Sequence, residues 1–180
     1  MLSPGDTFRS PRGTIVEVLD NRPERLAIRR TLPARTGRTA PHRHLEDAVE
    51  RFTLIEGEAT GKVAGEERHL RAGDVLEIPR AAVHVHPHTG PGQTATVEHV
   101  IEPRPPFPAV YFPSWLTWLA EGRVDDQDEP TLLGIMSVID TAHGESWVAG
   151  PPIPAQKAMA KLLAPIAARR GLRAVAPPGS

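Results

Sequence analysis

The chain has no cysteine. Disulfide bridges and thiolate–metal sites are therefore excluded, and any metal must be held by imidazole and carboxylate. That donor set suits a divalent transition metal such as iron, manganese, nickel, copper or zinc. Charge of one sign is also missing: the net charge is −1 and the pI is near 6.7. Phosphate recognition needs a basic surface, so nucleic acid is not an expected partner. No apolar run is long enough to span a bilayer, and Met1 to Phe8 lacks the apolar core of a secretory signal. A soluble, cytoplasmic protein with no membrane partner is the expectation. No internal repeat is visible. Gly57 to Lys62 has the wrong gap for a phosphate loop and no Ser or Thr after the lysine. A nucleophile-elbow sequence is missing as well.

What is abundant is turn chemistry, with 20 prolines and 15 glycines, which favours a loop-rich β architecture. Alternation marks short strands at Thr14–Leu19, Leu26–Thr31, His42–His44, Arg51–Ile55, Ala59–Val63, Arg68–Leu70, Val75–Ile78, Val83–His88 and Thr94–Ile101. Strands at about this spacing indicate a barrel or sandwich. With 180 residues the chain fits one domain that buries roughly 70% of its unfolded surface.

The most informative residues are His42-Arg43-His44, then Glu50, then His84. Two histidines two apart on a strand share one side of a sheet. Glu50 shares parity with Phe52 and Leu54, whose apolar side chains mark that face as inward. Buried imidazoles and a buried carboxylate without partners carry a large desolvation penalty, which a metal ion removes. Five residues separate His44 from Glu50, so Glu46 and Asp47 are alternative ligands. Glu50 is favoured by its parity, by the six residues between it and Gly57, and by the loop expected at Leu45 to Val49.

These segments resemble the two sequence motifs of the cupin superfamily. Gly37, His42, His44, Glu50 and Gly57 stand at the positions of the first motif, with Gly37 one residue nearer His42 than usual. Gly73, Pro79 and His84 match the second, where Ala81 replaces the usual glycine and His88 the usual asparagine. The resemblance covers roughly residues 10 to 105. It implies an all-β fold, a single cupin barrel (a double-stranded β-helix or jelly roll), over residues 1–113. It also implies one divalent transition metal held by His42, His44, Glu50 and His84, with one or two positions open to water or substrate. The function implied is metal-dependent chemistry on a small organic molecule. A dioxygenase, hence an oxidoreductase, comes ahead of an isomerase or lyase, and a non-catalytic small-molecule-binding or sensing cupin is the alternative. No catalytic residue is assigned. His86, His88 and His99 are candidates for positions behind the metal ligands or against the substrate. His86 and His88 are read first as rim histidines of a loop. His99 shares parity with Val97 and Ile101, which fits cavity lining or structural burial. His69 and His143 are read as surface residues.

Beyond the motifs, Pro103 to Pro113 reads as an extended crossing. Residues 114–180 read as a helical appendage packed on the barrel or on a dimer partner. Ser114 caps a short helix through Leu119, closed by Gly122. Pro130 opens a second helix with Leu132, Leu133, Ile135, Met136 and Ile139 on one face. Pro151 to Pro154 leads into a third, which Pro165 should kink and Gly171 end. Trp115 and Trp118 should bury against the barrel or a partner. A homodimer is expected.

Overall fold

A computed structural model describes residues 2–142 and 144–176. After the short β1 (Thr7–Arg9), clean alternation builds β2 (Ile15–Arg22) and β3 (Arg25–Leu32). Val16 and Val18 in β2, and Leu26, Ile28 and Leu32 in β3, are buried in the core, and Ala27 between two of them is buried as well. The chain continues through β4 (His42–His44), β5 (Val49–Val63), β6 (Glu66–Arg71), β7 (Val75–Ile78), β8 (His84–His88) and β9 (Ala95–Glu102). Then come α1 (Pro106–Ala120), α2 (Leu132–Ala142), β10 (Ser146–Val148) and α3 (Ile153–Arg169).

The ten strands form one sheet in the order β1-β2-β3-β9-β5-β8-β4-β10, with β6 and β7 also paired to β5. Every pairing among the described residues is antiparallel. The path begins and ends on different strands, so the sheet is not closed. The hydrogen bonding thus departs from the closed barrel expected above, while the mostly antiparallel sheet with appended helices agrees with it.

The two strands expected at 51–55 and 59–63 are one long β5, whose first half pairs with β7 and β9 and whose second half pairs with β6 and β8. A register shift between Leu54 and Glu56 lets it turn. Gly57 follows with φ 81°, and a Cβ there would lie 1.9 Å from the Thr94 carbonyl oxygen. Only glycine permits that approach, which explains the residue that closes the first motif.

The proline-rich crossing is the clearest difference from the sequence reading. Helix α1 starts at Pro106 and runs through Pro113. Pro105 is its N-cap and Pro106 its first residue, where a missing N–H has no helical partner to lose. The boundary drawn between residues 113 and 114 therefore falls inside a helix. Helices α2 and α3 lie where expected, and α3 continues through Pro165 to Arg169. Strand β10 was not foreseen.

Burial explains why the helices dock. Phe112, Trp115, Leu116 and Leu119 of α1 cover Val16, Val18, Leu26 and Ile28 of the sheet. The opposite side of α1, with Phe107, Val110 and Trp118, packs on Val138, Ala142, Ala167 and Leu172. Each such side chain contributes roughly 1.5–3 kcal/mol when fully buried. Trp115 and Trp118 are thus covered within the chain and need no partner. A separate cluster fills the sheet between Leu32, Phe52, Leu54, Leu76, Ile78 and Val97. No helix among the described residues is long and apolar enough to cross a membrane.

Candidate metal centre

Four strands, β4, β5, β8 and β9, converge on one wall of the molecule. His42 pairs directly with His84 across β4 and β8, and Phe52 pairs with His99 across β5 and β9. The period of two puts His42 and His44 on one face of β4, and His84 and His86 on one face of β8. Glu50 shares the inward face with Phe52, as its parity predicts, and is buried. His44 Nε2 and His84 Nε2 each lie 3.2 Å from Glu50 Oε2. His86 Nε2 lies 3.4 Å, and His99 Nε2 2.7 Å, from Glu50 Oε1. The four residues named from the motifs are therefore brought together, with His86 and His99 beside them.

The outer nitrogens of the imidazoles are occupied. His42 Nδ1 meets the Ala40 carbonyl at 2.8 Å, and His84 Nδ1 meets the Ala82 carbonyl at 3.0 Å. His44 Nδ1 meets Ser146 Oγ at 2.6 Å, and that hydroxyl donates to Glu46 Oε2 at 3.2 Å. A carbonyl only accepts, so Nδ1 carries the proton in His42 and His84 and Nε2 presents its lone pair inward. The Ser146 hydroxyl gives His44 the same orientation. Glu46, an alternative ligand in the sequence, instead supports His44 through Ser146. Asp47 joins no candidate ligand group among the described residues.

His99 Nε2 is hydrogen-bonded to Glu50 Oε1, but other inward atoms lack partners. Glu50 Oε2, His84 Nε2 and His86 Nε2 are buried without a properly directed hydrogen bond, despite the short separations. Each such orphan costs about 1–3 kcal/mol. Two sets of ligand atoms lie within 4.8 Å of one another: His42, His44 and His84, and Glu50, His84 and His86. They share His84. Neutral imidazoles and one carboxylate, converging and unsatisfied, fit a divalent transition metal.

Electrostatics agree. Burial lowers His42 well below the usual histidine range and takes His86 down to about 3. It lowers His99 too, against the pull of Glu50. Burial opposes a charge on His44, but Glu50 outweighs it and raises that pKa. Burial would raise Glu50, yet His44 and the other imidazoles bring it well below the carboxylate range. The site keeps one anion among mostly neutral nitrogen donors.

Beside the cluster lies a cavity of about 240 Å³. His42, His44, Glu50, His86 and His99 line it on the sheet side. The helical segment supplies most of the remaining wall, including Phe107, Phe112, Leu132, Ile135, Ile139 and Trp147. Two ionisable groups sit in that wall. Tyr111 donates from its hydroxyl to Glu129 Oε2 at 3.4 Å, and Arg30 donates to Glu129 Oε1. Burial pushes Glu129 up to about 7 in spite of Arg30, and burial with the Glu129 charge raises Tyr111 well above its ordinary value.

His86 is not the loop histidine first read from the sequence, because β8 extends through it and buries it. The alternation His84, His86, His88 carried that signal. His99 is both buried and cavity-lining. His88 is half-buried, with Nδ1 on the His86 carbonyl, and lies outside the cluster. His69 is exposed beside Glu67, as expected. His143 lies outside the described residues. Ser146, Trp147, Tyr111 and Glu129 were not foreseen, since only tertiary packing brings them to the site.

Residues 29–100 match the family model described as a cupin domain. That span contains Glu50 and all the histidines of the cluster. No curated protein sequence matches the chain. Among solved structures, it is similar to KdgF from Halomonas sp., with 21% identity, 55% of this chain and 86% of that one covered, and a TM-score of 0.46. For an RmlC-like cupin from Shewanella frigidimarina NCIMB 400 the values are 18%, 56%, 85% and 0.47. For the polyketide cyclase RemF from Streptomyces resistomycificus they are 22%, 58%, 71% and 0.44.

Proposed function

We propose that this protein binds one divalent transition metal through His42, His44, Glu50 and His84 and uses it on a small organic molecule. The observation that carries the reading is the convergence of buried, unpartnered donor atoms on one wall of a largely apolar cavity. A metal bound there supplies Lewis acidity or the activation of dioxygen. The chain's own residues do the rest. Ala40, Ala82 and Ser146 fix the imidazoles, Glu50 supplies the negative charge, and the helical wall shields the substrate from bulk water. Dioxygenase-type oxidation, in which both atoms of dioxygen enter the substrate, is the leading reaction. The apolar wall supports it, since few groups there would compete for protons. An isomerase or lyase is the second reading, and Glu129 with Tyr111 favours it by offering a proton-carrying group in the same cavity.

Elemental analysis of the purified protein should find about one transition metal per chain. His42→Ala and His84→Ala should lose it. Glu50→Gln should weaken binding far more than Glu46→Gln or Ser146→Ala, because the latter two act only through His44 and should cost about 10–100-fold. Equal effects at Glu46 and Glu50 would refute the ligand assignment. After anaerobic loading with iron(II), oxygen uptake with a screened substrate supports the oxidative reaction, and turnover without uptake supports the second. The homodimer is also proposed. Leu162 and Ile166 of α3, 74% and 41% exposed, are apolar side chains it could cover. Sedimentation equilibrium tests it.

A further inference from the structure

Glu129 is an unusual residue to find in a cavity wall. It is 3% exposed, as is Arg30, which donates to Oε1 from below and stacks 4.7 Å over the Trp115 ring. A buried pair of this kind is weak evidence for stability, because desolvation offsets most of its attraction. The loop that carries Glu129 is nevertheless heavily braced. Asp125 Oδ1 accepts from the backbone N–H of Gln127 and of Glu129, each at 2.9 Å. Ser10 and Thr14 hydroxyls donate to Asp128 Oδ2 at 2.7 and 2.6 Å, and Trp115 Nε1 donates to the Asp128 carbonyl at 2.9 Å. Asp128 itself holds φ 61°, a conformation L residues rarely adopt. These contacts hold the following residue against the cavity, with Glu129 Oε1 used by Arg30.

The other oxygen is undercommitted. Among the described residues Glu129 Oε2 has one hydrogen bond, the 3.4 Å contact from Tyr111, which is long for O–H···O. No hydrogen bond or ion pair among the described residues joins Glu129 to the histidine cluster. It is a second polar position, apart from that cluster, in a largely apolar space. A ligand hydroxyl placed there can donate to Glu129 Oε2 and accept from the Tyr111 hydroxyl. The volume also limits the ligand: a cavity of about 150 Å³ holds benzene. The cavity of about 240 Å³ suits a compact body of one ring with substituents.

We propose that Glu129 and Tyr111 form a recognition site for the hydroxyl group of a compact, largely apolar substrate whose reacting part lies at the histidine–Glu50 cluster. The proposal deepens the function proposed above and rests on it for the placement of the reacting part. Burial raises the Glu129 pKa to about 7, so a pH above that favours its ionised, stronger-accepting form.

The test uses the full chain loaded with zinc, at pH 8, and two probes of the same shape, para-cresol and para-xylene, followed by calorimetry. The parent should bind para-cresol at least about tenfold more tightly, as expected for a hydrogen bond to a charged group. In Glu129→Gln that preference should shrink severalfold while para-xylene affinity stays as in the parent. Tyr111→Phe, which keeps the carboxylate, should reduce the preference by a smaller factor. A merely structural role for the Arg30–Glu129 pair would lower the thermal midpoint of Glu129→Gln and leave the ratio of the two affinities unmoved, which overturns the proposal. A preference retained in both variants assigns the phenol to the metal instead and also overturns it. So does failure of both probes to bind the parent. Metal content is measured separately: loss of the para-cresol preference in Glu129→Gln, with no zinc bound by the parent, would reject the metal reading and leave this recognition site standing.

Discussion

At Ala81 the backbone adopts φ 61°, in the turn that returns the chain to His84. This is the position where the cupin motif carries glycine. An L side chain there costs about 1–2 kcal/mol, and glycine gives back about 0.4–1 kcal/mol through a freer unfolded chain. Ala81→Gly should therefore stabilise the protein by about 0.5–1 kcal/mol, read as a higher urea midpoint; an unchanged or lower midpoint would contradict it. Glu129 makes a prediction of the opposite kind. Its folded pKa, about 7, lies above the ordinary 4.5, so the folded state binds more protons across that window. Stability then falls as pH rises from about 4.5 to 7. Histidines of the unfolded chain titrate at about 6.5, inside that window, so the quantity to measure is the unfolding free energy of the parent minus that of Glu129→Gln. That difference should decline with pH. A flat difference would mean that Glu129 is not held as described.

Elements were legible where a period or a spacing carried them. His42, His44 and Glu50 could be named because strand parity encodes an inward face, and His84 because its spacing from Gly73 and Pro79 resembles the second cupin motif. The partnership of His99 with Glu50 could not, because it depends on the register that sets Phe52 opposite His99. Strand β10 is three residues long and too short to show a period. Helix α1 was obscured by Pro106 and Pro108, whose cost vanishes in a first turn, and by Pro113, which lies in its interior. Its packing on α2 is close enough to test. A Cβ on Gly134 would lie 2.8 Å from the Trp118 ring, which is itself buried. Gly134→Ala should push α2 from α1 and cost about 1–3 kcal/mol, seen as a lower thermal midpoint. An unchanged midpoint would show that the ring yields freely.

For the whole molecule, sheet and helices are interdependent. A chain ending at Pro113 would uncover Val16, Val18, Leu26 and Ile28, remove the helical wall of the cavity, and leave β4 without β10. Such a chain should aggregate and bind little metal. A truncated form that stays soluble with the parent's metal affinity would show the segment to be dispensable. The location of the candidate ligands was therefore readable from about half of the chain, whereas the cavity they face was not, since its other wall comes from helices and a loop with no motif of their own.

The pairing of β4 has a consequence for biosynthesis. Its only bridge to β8 joins His42 to His84, while three residue pairs join it to β10. His44 and its Ser146 support are 102 positions apart. On the ribosome, the strand that carries His42 and His44 thus emerges long before its principal neighbour. Until Val148 has been synthesised, β4 lacks its longer pairing and His44 lacks the hydroxyl that fixes its tautomer. The set of candidate donor atoms, with the support that Ser146 gives His44, is accordingly complete only once β10 has been made.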